Sequence, residues 1–273
     1  MQPINILVTL DGKYLPVLGP MLKSLFLNNL GEMFHVYLIH QGLCEEKLAP
    51  ARELCRRHLA SLLPLEAPEE LFADAPTPFH YSKAMYYRLL AHKILPRDLD
   101  RVLYLDPDVL VINSIRTLYD MDVTRHLFAA AAHTGLVDVT TYINNVRLGT
   151  PSAQSYYNSG VLLMNLRKHR KAVSADDIFA CVKKRGSELL LPDQDVLNIL
   201  YGSDILPLDD SLYNFDVRRY GEHFLKSEGE KDMDWMMRNT VVLHFCGKNK
   251  PWNKGYRGRF GLLYKHYQRL AER

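Results

Sequence analysis

Two spacings of apolar residues organise the first half of the chain. Ile4 to Leu10 is a short apolar run that stops at Asp11-Gly12 and reads as a buried strand. Leu18, Met21, Leu22, Leu25 and Phe26 then follow at helical spacing, which predicts a helix with one apolar stripe. Phe34 to His40 reads as a second strand, Glu45 to Ala60 as a polar-faced helix, and Leu62 to Leu65 as a short third strand. This alternation predicts a parallel sheet with helices on its faces. Pro68 to Pro78 is rich in Pro and Ala and reads as a loop. Ser82 is placed to cap a helix that carries Tyr86, Leu89, Leu90 and Ile94 and ends before Pro96. The apolar run Val102 to Leu105 comes next, then Asp106-Pro107-Asp108, then a second run from Val109 to Ile112.

The second half is less periodic. Leu127 to Ala132 is small and apolar, which suits a tight central strand. Val161 to Leu166 is another strand, introduced by Asn158-Ser159-Gly160. Asp176 to Lys184 and Asp195 to Tyr201 read as helices. Residues 209–240 are mixed and polar, without a clear period. Val241 to Phe245 is a late strand leading into Cys246-Gly247-Lys248-Asn249-Lys250-Pro251-Trp252, and Phe260, Leu263, Tyr264 and Tyr267 predict a basic amphipathic helix at the end.

The chain has 273 residues, 47% of them hydrophobic, which fits one large α/β domain. A chain of this length buries roughly three quarters of its unfolded surface. A formal net charge of +3 is near balance and offers nothing to nucleic acid. Cys44, Cys55, Cys181 and Cys246 are scattered without a CxxC, so a zinc site and a disulfide framework are not expected. The first residues lack the basic start and apolar core of a secretory signal, and no apolar run reaches the roughly 18 residues of a membrane span. The expected location is cytoplasmic.

Candidate chemistry gathers at strand ends, where open α/β sheets bind ligands. Asp106 and Asp108 lie one residue apart after a strand, so alternation sends both side chains the same way. Two carboxylates that close need a cation between them, and hard oxygen ligands suit Mg²⁺ or Mn²⁺. An Asp-Pro-Asp turn capping a strand is the plain alternative. Asp11 and His244 also fall at strand ends, which favours the metal. His244 suits a third ligand or a structural role. Gly247 to Lys250 suits a diphosphate, or is a solvated turn. Neither a Walker A nor a GxGxxG motif is present. Asp193-Gln194-Asp195 opens a helix. One acid there is a first-turn acid, and Gln194 and the other remain for a polyhydroxyl ligand. Tyr156 to Gly160 offers amide, hydroxyl and close backbone approach, or is an ordinary turn. Arg88 reaches a phosphate or covers the sheet.

Together these segments resemble glycosyltransferase family 8, the group of glycogenin and the bacterial lipopolysaccharide α-galactosyl- and α-glucosyltransferases. The resemblance runs from about residue 4 to about residue 255. It rests on Leu7-Val8-Thr9-Leu10-Asp11 with Tyr14, His80-Tyr81-Ser82 with Tyr86 and Arg88, Val102 to Asp108, Asn158 to Val161, Asp193-Gln194-Asp195, and His244 to Gly247 with Lys250-Pro251-Trp252. It implies a single GT-A domain with a mostly parallel central sheet flanked by helices. About residues 1–113 would hold the nucleotide sugar, and about 114–273 the donor sugar and acceptor. It implies transfer of glucose or galactose from a UDP-sugar, with retention and with Mn²⁺, Mg²⁺ being an alternative.

By the same resemblance, Asp106, Asp108 and His244 hold the metal. Val8, Leu10, Asp11, Tyr14, Pro107, Gly247 and Lys250 bind the nucleotide. Arg88, Asn158, Ser159, Asp193 and Gln194 line the donor sugar, with Asp193 and Gln194 also the catalytic candidates. The chain departs from the family at Gly12-Lys13, where relatives often carry a polar contact, and at His133-Thr134, where a galactosyltransferase relative carries an acid. The expected acceptor is a carbohydrate, a lipid-linked sugar or a cell-wall glycan. The basic C-terminal helix, with Lys254, Arg257, Arg259, Lys265, Arg269 and Arg273, suits a peripheral contact with the inner membrane face, or is simply packed with its charges solvated. A sugar nucleotidyltransferase lacks support because the first loop has a single glycine. A non-catalytic nucleotide-sugar binder is the other alternative.

Overall fold

A computed structural model describes residues 2–12, 14–76, 83–132, 139–151, 155–186 and 188–273. Among these residues the strands are β1 (Ile4–Thr9), β2 (Phe34–His40), β3 (Ala60–Glu66), β4 (Arg101–Leu105), β5 (Val109–Val111), β6 (Phe128–Ala131), β7 (Val161–Asn165), β8 (Ile205–Leu208), β9 (Phe215–Asp216) and β10 (Val242–His244). Seven of them form one sheet in the order β3-β2-β1-β4-β7-β6-β8. Its pairs are parallel except where β7 runs against β4 and β6. The other three form a small sheet, β5-β10-β9.

Side-chain alternation places the core on both faces of the large sheet. Ile4, Ile6 and Val8 of β1 join Leu103 and Leu105 of β4 on one face, under the helix Leu15–Leu27. Leu7, Val102 and Tyr104 pack on the other. Strands buried on both faces read as continuous apolar runs, which is why β1, β2 and β4 are visible in the sequence. The step from β4 to β5 crosses from the large sheet to the small one. Asp106-Pro107-Asp108 is that junction, a turn and not an extension of the strand.

Several expectations change. The segment after residue 82 is not a continuous α-helix. It is two 3₁₀ turns, Lys83–Tyr86 and Ala91–Lys93, joined by turns. Met85, Tyr86, Tyr87, Leu89, Leu90, Ala91 and His92 are all buried and only Lys93 is exposed, so tertiary packing sets this backbone rather than an amphipathic helical face. The helix from Glu45 ends at Arg56, and Ala60 already belongs to β3. Leu59 makes that turn with a left-handed φ of 50°. The strand at 128–131 lies one place from the sheet edge and is not central. The stretch 209–240 contains β9 and four short helical segments, Asp210–Tyr213, Val217–Arg219, Tyr220–Lys226 and Met233–Asn239. Ser82, His80-Tyr81 and His133-Thr134 lie outside the described residues. The C-terminal helix, Gly261–Ala271, is packed through Tyr264 and Tyr267, and Tyr267 Oη accepts a 2.8 Å bond from Asn28. Leu262, Lys265 and Arg269 line its outer side. Among the described residues no helix is long and apolar enough to cross a membrane.

One buried pair couples the fold to pH. His92 and His169 lie with ring centroids 5.9 Å apart behind Phe128. His169 Nδ1 donates to Asn165 O at 2.7 Å. Burial lowers both imidazoles, His92 to about 4 and His169 to about 3. The unfolded chain therefore takes up these protons near 6.5, before the folded chain does. Stability contributed by the pair is present above 6.5 and is lost as pH falls toward 4. Going from pH 7 to pH 5 should cost about 2 kcal/mol per histidine. Urea unfolding at the two pH values measures this, and His92→Phe should remove about half of the pair's contribution to the difference. An unchanged pH dependence in that variant would contradict the assignment.

Candidate active site

The junction between the sheets gathers the ionisable side chains. Asp106 leaves β4 opposite Gly160, whose carbonyl accepts its N–H at 2.8 Å. Asp108 enters β5, which runs antiparallel to β10, with His244 beside Val109. Phe245 N donates to Asp108 O at 3.1 Å and closes the pairing. This register brings ligand atoms of Asp106, Asp108 and His244 within 4.8 Å of one another. His244 Nε2 lies 3.3 Å from Asp108 Oδ1 and 3.9 Å from Asp106 Oδ2. Two carboxylates and an imidazole nitrogen fit Mn²⁺ or Mg²⁺, and the hydrogen bond at His244 Nδ1 leaves Nε2 for the ion.

The surrounding charges answer the carboxylates. Burial works against ionisation of Asp108, but His244 and Lys250 overcome it and hold the carboxyl well below its usual range. Lys250 Nζ donates to Asp108 Oδ2 and to Phe245 O at 2.8 Å. Burial likewise opposes charge on His244, and Cys246 and Asp108 overcome it, holding the imidazole well above its ordinary value. A divalent cation held there would supply that positive charge in place of the proton. On the other side Arg88 is half-buried. Desolvation disfavours its charge, and Asp106, Tyr104 and Asp193 more than offset this. Its Nη2 is 3.0 Å from Asp106 Oδ1, its Nη1 is 3.2 Å from Asp193 Oδ2, and its guanidinium carbon lies 4.6 Å from the Tyr104 ring centre. Nη1 also donates to Ser159 O at 3.1 Å. Tyr104 Oη donates to Asp106 Oδ1, and burial pushes this phenol far above its usual range.

Two recesses flank this cluster. The smaller, about 290 Å³, is lined by Thr9, Leu10, Asp11, Tyr14, Pro107 and the two aspartates of the cluster. Tyr14 meets Trp252 edge-on at 6.4 Å, so the loop after His244 reaches this recess. The larger, about 830 Å³, is lined by Asn158, Ser159, Gln194, His244, Gly247 and Lys250, and also by Tyr156, Arg218, Arg219 and Glu222. Arg88, Asp106, Asp108 and Asp193 line both. Val8 is the exception among the expected site residues. It is buried mid-strand in the core and lines neither recess.

The helix Pro192–Tyr201 separates its two acids. Asp195 is fully buried and accepts from Arg147 at 2.8 and 3.0 Å, from Tyr156 Oη at 2.6 Å, and from the N–H groups of Leu190 and Leu191. It is the structural acid. Asp193 faces the cluster, and its Oδ2 accepts from Ser159 Oγ at 3.1 Å and forms an ion pair with Arg88. Gln194 Oε1 accepts from Asn158 Nδ2 at 3.0 Å and from Ser159 N at 3.4 Å. Tyr104 and Asn214 join the site without having been expected there from the sequence. Tyr104 keeps the parity of Asp106 on β4, and that parity is a usable signal. Asn214 lies in the stretch without periodicity, which offers none.

Comparison with known proteins gives the family and the fold. A model of glycosyl transferase family 8 matches residues 5–255. General stress protein A of Bacillus subtilis is 26% identical, over 97% of this chain and 92% of its own length. A lipopolysaccharide 1,2-glucosyltransferase of Escherichia coli is 27% identical, over 92% of this chain and 73% of its own. The fold matches the galactosyltransferase LgtC, solved in complex with donor and acceptor sugar analogues, with a TM-score of 0.80, 23% identity, and coverage of 98% of this chain and 96% of that one. The fold is of the GT-A type.

Gly160 is the tightest point of the cluster. A Cβ there would lie 2.3 Å from His244 Cε1 and 2.8 Å from Asp106 Oδ2. Gly160→Ala should therefore push the ligands apart. The expected result is Mn²⁺ affinity reduced at least about 10-fold and stability reduced by about 1–3 kcal/mol. Titration calorimetry and thermal unfolding measure the two, and wild-type affinity in the variant would show that these three side chains do not hold the ion.

Proposed function

Because the chain belongs to glycosyl transferase family 8 and is a glycosyltransferase, we propose that it moves a hexose, glucose or galactose, from a UDP-sugar to an acceptor hydroxyl with retention and with Mn²⁺. The observation that carries this reading is the convergence of Asp106, Asp108 and His244 between two recesses that share Arg88 and Asp193. A diphosphate bound across that wall would leave the nucleoside on one side and the sugar on the other. About the first 113 residues would then hold the nucleotide and the rest the sugar and acceptor. Relatives that transfer glucose or galactose to lipopolysaccharide support a hexose and a glycan acceptor.

Each side chain then has a task. Leu10, Asp11, Tyr14 and Pro107 line the uridine recess, and Val8 contributes only strand backbone. Asp106, Asp108 and His244 would hold Mn²⁺, which would supply positive charge to the leaving diphosphate. Lys250 adds a second positive charge to the same anion, and Gly247, at φ 85°, allows backbone approach. Arg88 and Ser159 hold one oxygen of Asp193, which leaves Oδ1 for the oxocarbenium-like carbon of the donor. Gln194 and Asn158 position the sugar, since the Gln194 carbonyl is already engaged by Asn158 and Ser159. The wider recess, with Tyr156, Arg219 and Glu222, receives the acceptor.

The donor is identified by incubating the protein with a panel of nucleotide sugars, with Mn²⁺ or with EDTA, and measuring free UDP. Mn²⁺-dependent release from one UDP-hexose is expected, and silence across the panel would sink the proposal. Asp108→Asn should weaken Mn²⁺-dependent UDP binding by at least about 100-fold while the chain stays folded. Asp193→Ala should keep UDP affinity within about 3-fold and lower transfer by at least about 100-fold. Unchanged turnover in that variant would move the catalytic role away from Asp193.

A further inference from the structure

The orientation of His244 is dictated by a chain of amides whose direction can be read. A backbone N–H only donates. Gly160 N donates to Asn158 at 2.8 Å, so the atom it meets is the side-chain oxygen. The amide nitrogen of Asn158 therefore faces Gln194 at 3.0 Å, where the oxygen is marked in the same way by the N–H of Ser159. Asn214 lies 2.9 Å from that same Asn158 oxygen and must present its NH₂ there. Its own oxygen then faces His244 Nδ1 at 2.8 Å. An oxygen in that place requires a hydrogen on Nδ1. Neutral His244 is thus held as the Nδ1–H tautomer, with the Nε2 lone pair turned toward Asp108 and Asp106.

Asn214 is built to hold this position. It is fully buried, directly precedes β9, and its N–H donates to Asp210 O at 3.2 Å. β9 pairs with β10, so the backbone beside Asn214 and the backbone of His244 are fixed in one ladder. One amide thus touches a candidate metal ligand with its oxygen and a candidate sugar-site residue with its nitrogen.

We propose that Asn214 is a positioning residue that couples the metal ligand His244 to the donor-sugar amides Asn158 and Gln194, an inference that rests on the transfer reading for its second half. The two halves separate by substitution. Asn214→Asp keeps an acceptor for His244 Nδ1–H but sets two acceptor oxygens face to face at Asn158. Asn214→Leu removes both contacts. Mn²⁺ binding to the full chain, followed by electron paramagnetic resonance, should weaken about 10- to 100-fold in Asn214→Leu and stay within about 3-fold in Asn214→Asp. With the donor found in the panel, Asn214→Asp should lower kcat by about 10- to 100-fold with little change in KM. A residue that merely fills space would weaken metal binding and turnover in parallel with thermal stability in both variants, and that outcome overturns the proposal. Wild-type kcat in Asn214→Asp overturns the coupling. Should Asn214→Leu fail to fold, the near-isosteric Asn214→Asp still decides the question through its unchanged Mn²⁺ affinity and lowered kcat. If the wild-type protein releases UDP from no sugar, the transfer reading fails, while the contrast in Mn²⁺ binding still tests the hold on His244.

Discussion

Repulsion between Asp106 and Asp108 is the constraint to which the rest of the site responds. Two unit charges 4 Å apart interact by about 4 kcal/mol at the effective dielectric of a protein surface. A turn that sets two carboxylates on one point is tolerable only among cations. Three arrive here from distant parts of the chain: Arg88 from the 3₁₀ region, His244 from the end of β10, and Lys250 from the loop beyond it. Each cation needs its own anchor. Arg88 stacks on Tyr104, Lys250 also donates to a main-chain carbonyl, and His244 is braced by Asn214. The junction between the two sheets is therefore more than a crossover. It is where the large sheet delivers one acid and the small sheet delivers the other together with the imidazole.

Much of this is legible along the chain because buried strands declare themselves. β1, β2, β4 and β7 are continuous apolar runs, and the polar residues at their ends mark the cleft. What stays hidden has physical causes. Residues 83–93 carry helical spacing but most of them are buried, so tertiary packing outweighs local preference. The helix at 45–56 stops early because Leu59 takes a left-handed turn that no Gly or Asn announces. In the small sheet β5 and β10 show as apolar runs, but β9 is two residues long and leaves no periodic signal. Asp106, Asp108 and His244 are readable as a set through strand ends and family resemblance. Asn214 is not, since its meaning lies entirely in which atoms face it.

The Asp193-Gln194-Asp195 stretch shows how identical residue types part company. Both acids sit in the first turn of one helix, so the helix dipole favours both. The partners differ. Asp195 has its oxygens taken by a bidentate guanidinium, a phenol and two backbone N–H groups, and no lone pair is left for a ligand. Asp193 shares Arg88 with Asp106, so one guanidinium faces two carboxylates. Charge added at the metal cluster is felt at Asp193 through that shared arginine. An acid that is fully satisfied can only hold the fold. An acid that shares its counter-ion with the metal cluster stands where binding of the leaving group alters its charge environment, and that links the two ends of the proposed reaction.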